Sequence, residues 1–373
     1  MRVLDAGAIG ARIADARGRA GMTQAQLASE ISLDRSALAK IENGSRRVSA
    51  LELSQIADAL GERIEWFLYE TPPAIVSHRN LQDPGAASVS IDRLIERLAR
   101  NVEFIQENDS AWSLPALPQI DRPANPAEAE AAASKARTAL GLDRTEPLYN
   151  AAETVSRLGL LVFSVDIGAE TADAASILLE RGAVALINGN IQIGRRRLAF
   201  AHELGHCLFA DEYSVDWRVA EYDDSSAWES RIDRFARALL LPRGGMDQAW
   251  RQFQERNEDL RTRAVKLASR YRVDMSTLAR RLVELGHIDR TQADRVRQVR
   301  TTRADIVDLN LVTHDELAAP STPRPYDEAV LRLFRAEMIS SARAIDLLLD
   351  TWSEDDLPAL APLPENAIWQ FVS

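Results

Sequence analysis

Only one cysteine, Cys207, occurs in 373 residues. No intrachain disulfide can form, and the expectation is a chain folded in a reducing compartment. Long hydrophobic runs are also missing: none approaches the ~18 apolar residues that a membrane span needs. The first residues, MRVLDAGAIG, hold no apolar core of the kind a secretory signal carries. The expected location is therefore cytoplasmic, with no membrane partner. Excess positive charge is lacking as well. Lysine and arginine number 45 against 56 acids, a net charge of −11. That excludes a protein coated with nucleic acid, yet allows a small DNA reader whose basic patch is local. Histidine is scarce, five in all.

What is present is the composition of a folded protein, 46% hydrophobic and 27% charged, in a chain long enough for two or three domains. Residues 7–69 read as a helical bundle, with apolar positions recurring at Ile9, Ile13 and Ala16, Leu27 and Ile31, Leu38 and Ile41, then Leu53, Ile56 and Leu60. Thr71-Pro72-Pro73 and Asp83-Pro84-Gly85 read as linker, residues 90–107 as one amphipathic helix, and Pro115, Pro118, Pro123 and Pro126 as a stiffer linker. A second globular region opens at Asn125-Pro126, an N-cap followed by proline at the first helical position. Residues 148–158 predict a helix, and 160–165 and 184–187 short strands. Ile191–Ile193 is expected to pair with the latter across Asn188-Gly189-Asn190. Helices are predicted over 197–210, 228–241, 247–271, 275–286 and 326–350. The fold class is α+β, predominantly helical. Its expected segments are 1–70, a linker with one helix over 71–125, an α+β domain with a small sheet over 126–290, and a helical carboxy-terminal region over 291–373.

Two of the five histidines stand four residues apart in FAHELGH, residues 200–206. Positions i and i+4 share a helix face, so His202 and His206 can direct imidazole nitrogens at one ion. Glu203 beside them is placed to take a proton from an activated water rather than to ligate. Apolar Leu198, Phe200, Ala201, Leu204, Leu208 and Phe209 keep the helix buried. A catalytic zinc takes a third protein ligand. The candidates are His78, His287 and His314, and the acids Asp211, Glu212, Asp216, Glu221, Asp223, Asp224, Glu229 and Asp233. Glu229 differs from the rest in opening a strongly amphipathic helix, although a glutamate there also simply suits the helix dipole. Tyr213, Tyr222 and His287 are candidates for stabilising an oxyanion. Cys207 reads as a small buried side chain rather than a thiolate ligand or nucleophile, and Arg195–Arg197 as the entry to the site helix, paired with acids, rather than a nucleic-acid contact; Trp217 and Trp228 flank a polar loop as packing groups, with the lining of a substrate groove as the alternative.

RRRLAFAHELGHCLF, followed by ExxxDRFARALLLP, resembles the ImmA/IrrE metallopeptidase family over roughly 126–290. The departures from the family pattern are Ile232 for the usual Ala, Asp233 for Asn and Leu241 for Met. The resemblance implies a zincin-like fold and maps the third ligand onto Glu229. It further implies zinc, with manganese as the alternative ion, and cleavage of a partner protein, often a DNA-binding repressor.

Residues 22–44 read as helix, short turn, helix: Thr23 caps a helix over 24–30, and Ser32-Leu33-Asp34 leads into one over 35–42. In such motifs the second helix enters the major groove. Arg35, Ser36, Ala37 and Lys40 would face the bases, with Gln24, Arg46 and Arg47 on the backbone. The motifs TQxxLA, SxLAKIENG and IADAL resemble the XRE (Cro/cI-type) family, which implies the same contacts and a homodimer reading two half-sites. The expectation is a zinc-dependent endopeptidase coupled to operator DNA, cleaving a repressor or other regulatory protein. The alternative is a transcription regulator or antitoxin whose peptidase-like domain is a sensor or interaction module. The intact Glu203 argues against that alternative, because a structural zinc needs no general base.

Overall fold

The structure, a computed structural model, describes residues 5–60, 64–68, 76–79, 89–168, 172–209, 222–312 and 314–360. By contact the chain divides into two compact units, Met1–Ala74 with Ala87–Arg93 and Ile75–Ala86 with Leu94–Ser373. The architecture is α+β and mostly helical. No described helix is long and apolar enough to cross a membrane.

The first unit holds α1 (Ala6–Arg19), α2 (Gln24–Glu30), α3 (Arg35–Glu42), α4 (Ala50–Leu60) and α5 (Ile64–Leu68). The periodic apolar positions converge as read: Ile13, Leu27, Leu38, Ile41 and Ile56 are buried in one core with Phe67. Thr23 starts α2 through a capping box with Gln26, each side chain accepting from the other's backbone N–H. Gly10 lets α1 touch the end of α3, since a Cβ there would lie 2.2 Å from the Ile41 carbonyl oxygen.

The second unit contains β1 (Val76–Arg79) and the part of α6 (Val89–Asn108) from Leu94 onward. After them come α7 (Pro126–Ala139), α8 (Ala151–Ser156), β2 (Leu160–Val165), β3 (Ala174–Leu178), β4 (Ala183–Asn188), α9 (Ile193–Leu208) and α10 (Tyr222–Leu240). Then follow α11 (Arg243–Glu255), α12 (Leu260–Tyr271), α13 (Met275–Glu284), α14 (Arg290–Arg297), α15 (Arg303–Asp308), α16 (Arg324–Arg335) and α17 (Ser341–Leu347). The sheet runs β1-β3-β4-β2, with β2 and β4 parallel and the other pairs antiparallel. Helix α9 lies against β1, β3 and β4, α10 against α9 and α7, and α8 against β2.

Several expectations change. Ile191–Ile193 is not a strand, and Ile193 begins α9. The antiparallel partner of β4 is β3, which turns back at Gly182, where φ is +81° and Leu179 N donates to the Gly182 carbonyl at 3.0 Å. Gly189 serves a close approach rather than a hairpin: a Cβ there would lie 2.2 Å from that of Ala319. The helix read over 247–271 breaks at Asn257, whose φ is +53°, before Asp259 caps α12. The one read over 326–350 breaks at Glu337, φ +56°, before Ser340 caps α17. The stretch read as linker supplies β1, and beyond α6 it buries Leu114 and donates from Ile120 N to the Leu208 carbonyl at 2.8 Å. The carboxy-terminal region touches the far edge of the sheet at one bridge: Ser164 and Ser321 exchange two backbone hydrogen bonds of 2.8 and 2.9 Å.

Gly194, in the first turn of α9, packs on backbone: a Cβ there would stand 2.3 Å from Asp274 N and 2.8 Å from the Val273 carbonyl carbon. We expect Gly194→Ala to cost about 1–3 kcal/mol through overpacking, read as a lowered denaturant midpoint with an unchanged slope.

Candidate functional site

Helix α9 is buried over almost its whole length, although six of its residues carry charge or an imidazole. At its start each arginine finds an acid. Arg195 Nε donates to Asp173 at 2.8 Å, Arg196 pairs with Asp315, and Arg197 pairs with Glu316 and donates to the Leu148 carbonyl at 2.6 Å. Burial pulls the Arg197 guanidinium down from its ordinary pKa, and the Glu316 charge opposes it. Arg272 also reaches Glu316, at 3.1 Å.

One turn further on, the imidazoles of His202 and His206 lie side by side with their Nε2 atoms 3.1 Å apart. Helix α10 brings Glu229 to them, with Oε2 at 3.1 Å from His202 Nε2 and Oε1 at 3.8 Å from His206 Nε2. The crossing is close because position 205 is glycine; a Cβ would meet the Phe235 ring at 3.0 Å and Ile232 at 3.1 Å. Asp233, one turn along from Glu229, lies 3.0 Å from His202 Nδ1. A proton on Nδ1 satisfies that contact and leaves the Nε2 lone pair for the cluster. Glu229 is the exposed member, its side chain 41% accessible against 4% for each histidine, so the cluster is reached from its side. Burial alone would raise the Glu229 carboxyl; the hydrogen bond with His202 and the two imidazole charges outweigh it and hold the carboxyl below its ordinary value.

Two imidazole nitrogens and a carboxylate facing one another at such distances share a proton or can hold a cation among them. Ligands at ~2.05 Å on a tetrahedron stand roughly 3.3 Å apart, close to the separations found. The chemistry of the set, two imidazoles and a carboxylate with an acid behind one imidazole, fits a divalent ion.

Glu203 does not join the cluster. It is wholly buried, and its Oε2 accepts a hydrogen bond of 2.6 Å from the Ser176 hydroxyl on β3. Among the described residues its Oε1 has no hydrogen-bond partner. Cys207 is buried nearby, and burial pushes its thiol up to about 12.

Of the other candidate ligands, His287 pairs with Asp247 at 2.9 Å and stacks on Trp250, and His314 is exposed. The same pairing occupies His287 as an oxyanion candidate. Asp211, Glu212, Tyr213, Asp216, Trp217 and Glu221 lie outside the described residues, as do the side chains of His78, Tyr222, Asp223 and Asp224. Trp228 packs edge-on to Phe209 between the guanidinium groups of Arg122 and Arg231, 5.4 and 5.6 Å from its ring. Sequence reasoning missed Ser176, Asp173, Asp315 and Glu316. The three acids carried no signal beyond their charge, and Ser176 lies in a strand that was not foreseen.

In the first unit, α2, the turn Ile31–Asp34 and α3 form a helix-turn-helix, with Ser32 left-handed at φ +55°. Arg35, Ser36, Lys40 and Arg47 are exposed, and Ala37 is half-buried. Gln24 donates to Glu42 at 2.7 Å, and Glu42 is also held by Arg17 at 2.6 Å. Arg46 pairs with Glu52 at 2.5 Å. Gln24 and Arg46 are thus already bonded within the unit, whereas Arg35, Ser36, Lys40 and Arg47 present their side chains to solvent.

No curated protein matches the chain. Among solved structures, PlcR of Bacillus thuringiensis in complex with the peptide PapR7 and DNA aligns over 92% of each chain at 11% identity and a TM-score of 0.18, too slight a likeness to carry an argument. Family models match two segments: residues 13–67 match a helix-turn-helix, and residues 155–283 match an IrrE N-terminal-like domain. These are the two families that the motifs resemble, and the second match encloses His202, Glu203, His206 and Glu229 as well as Ser176 and Asp233. The chain therefore joins a helix-turn-helix domain of the XRE type to a peptidase-family domain of the IrrE/ImmA-like kind.

Proposed function

We propose that the second unit is a zinc-dependent endopeptidase and that the first directs it to DNA, with a repressor or other regulatory protein as the substrate. The observation that carries the proposal is the convergence of His202, His206 and Glu229 beside a buried carboxylate, Glu203, one of whose oxygens has no partner among the described residues. His202, His206 and Glu229 hold the ion, with manganese as the alternative to zinc. When bound, the ion supplies Lewis acidity, polarising a peptide carbonyl and acidifying water.

The remaining work belongs to the chain's own groups. Asp233 fixes the tautomer and plane of His202 through Nδ1. Ser176 ties down Oε2 of Glu203, so Oε1 is the atom that takes the proton of the attacking water and returns it to the leaving amine. The apolar flanks of α9 keep bulk water out. On the DNA side, Arg35, Ser36, Ala37 and Lys40 on α3 are the base-facing set, and Arg47 contacts phosphate. Gln24 and Arg46 act there too, as buttressed groups that orient the helices. A homodimer reading two half-sites suits such a unit.

Metal analysis of purified chain tests the site. We expect about one zinc per chain in the wild type and little or none in His202→Ala and Glu229→Ala. A metal-replete wild type that retains none would remove the peptidase reading. Asp233→Ala should keep the fold and weaken zinc affinity by about 10–100-fold, read by chelator competition; unchanged affinity would mean that Asp233 does not orient His202. For the DNA side, Arg47→Ala should weaken binding to any duplex and lower the slope of log K against log salt by about one.

A further inference from the structure

We infer that the β3 edge of the sheet is a docking edge for an extended peptide, that β1 is its resident occupant, and that a substrate reaches Glu203 by taking the place of β1. Only the word substrate rests on the peptidase reading; the docking edge stands on the sheet itself.

Strand β1 is four residues long and stands some eighty residues ahead of the other strands in the chain. It joins the sheet at its margin, antiparallel to β3, in a register that pairs Val76 with Ile177, Ser77 with Ser176, His78 with Ala175 and Arg79 with Ala174. Ser176 is the residue whose hydroxyl holds Glu203 at 2.6 Å. The β1 backbone therefore runs one strand spacing, about 4.8 Å, from the strand that positions the general base. Helix α9, which carries Glu203, lies against β1 as it does against β3.

The opposite margin differs. There Ser164 of β2 is bridged to Ser321 by two backbone bonds. Without β1, the edge of β3 would present unpaired N–H and C=O groups beside the candidate metal centre. Such an edge accepts any extended chain through main-chain hydrogen bonds. The substrate class that follows is an unfolded, extended segment running antiparallel to β3. A four-residue strand contributes only a few ladder bonds, each worth about 1 kcal/mol net, so a competing segment can displace it.

The test uses the full zinc-loaded chain and a variant, Ser77→Pro with His78→Pro. Adjacent residues point their N–H groups to opposite sides, so one of the two prolines removes a donor to β3 whichever way the ladder alternates. Hydrogen exchange should show the β3 amides opening at least about tenfold faster in the variant. A synthetic peptide of residues 72–83 added in trans should restore their protection. With unfolded casein as probe, the variant should cleave several-fold faster than the wild type, and the same peptide should inhibit it. Unchanged exchange in β3, or a freed edge with unchanged cleavage by an active chain, would overturn the inference. Peptide protection of β3 with no cleavage by any form would support the docking edge and defeat the peptidase reading instead.

Discussion

Helix α9 is buried over almost its whole length while carrying three arginines, two histidines and a glutamate, and most of the second unit answers that constraint. A buried charge left alone costs several kcal/mol, and each charged side chain on α9 is met by at least one partner inside the protein. Its first turn draws in Asp173 from ahead of β3, the Leu148 carbonyl from ahead of α8, and Asp315 and Glu316 from beyond α15. Further along, Ser176, Asp233 and Glu229 converge on Glu203 and the histidines. The site is thus the part of this neutralisation in which the partners of the imidazoles leave lone pairs facing one another.

The same logic extends outward through α10. Asp233 lies 3.8 Å from Arg237, Arg237 pairs with Glu284 at 2.8 Å, and Arg281 on α13 lies 3.5 Å from Glu284 and donates to Glu130 on α7 at 2.9 Å. Burial would raise the Glu130 carboxyl, but the hydrogen bond and charge of Arg281 hold it below its ordinary value. The orientation of His202 is therefore braced by a chain of charges that crosses three helices. A chain of this kind adds little net stability; it fixes which way the groups point.

The histidines and Glu203 were legible because i and i+4 on a helix is a local relation. The amphipathic stripe of α10 was legible for the same reason. Glu229 needed the resemblance, since on spacing alone many acids compete. Ser176 was not legible: it lies in AASIL, a five-residue strand with small residues and no alternation, and its role depends on register with a helix 27 residues away. Strand β1 was invisible because four residues in a proline-flanked stretch look like linker, and only the edge of β3 makes them a strand. The break at Asn257 was hidden because periodic apolar positions continue on both sides of it. The helix-turn-helix was the easiest part, being built almost entirely from neighbours in sequence.

The dependence of α9 on Asp315 and Glu316 bears on what counts as one heritable piece of this protein. The family match ends at residue 283, but the acids that neutralise Arg196, Arg197 and Arg272 come some thirty residues later. A fragment trimmed to the matched segment would leave the wholly buried Arg197 with no counter-charge, a loss of about 3–5 kcal/mol for a broken buried pair. The carboxy-terminal region is on this view no appendage that recombination could exchange freely; its first stretch and the helix that bears the histidines must be inherited together.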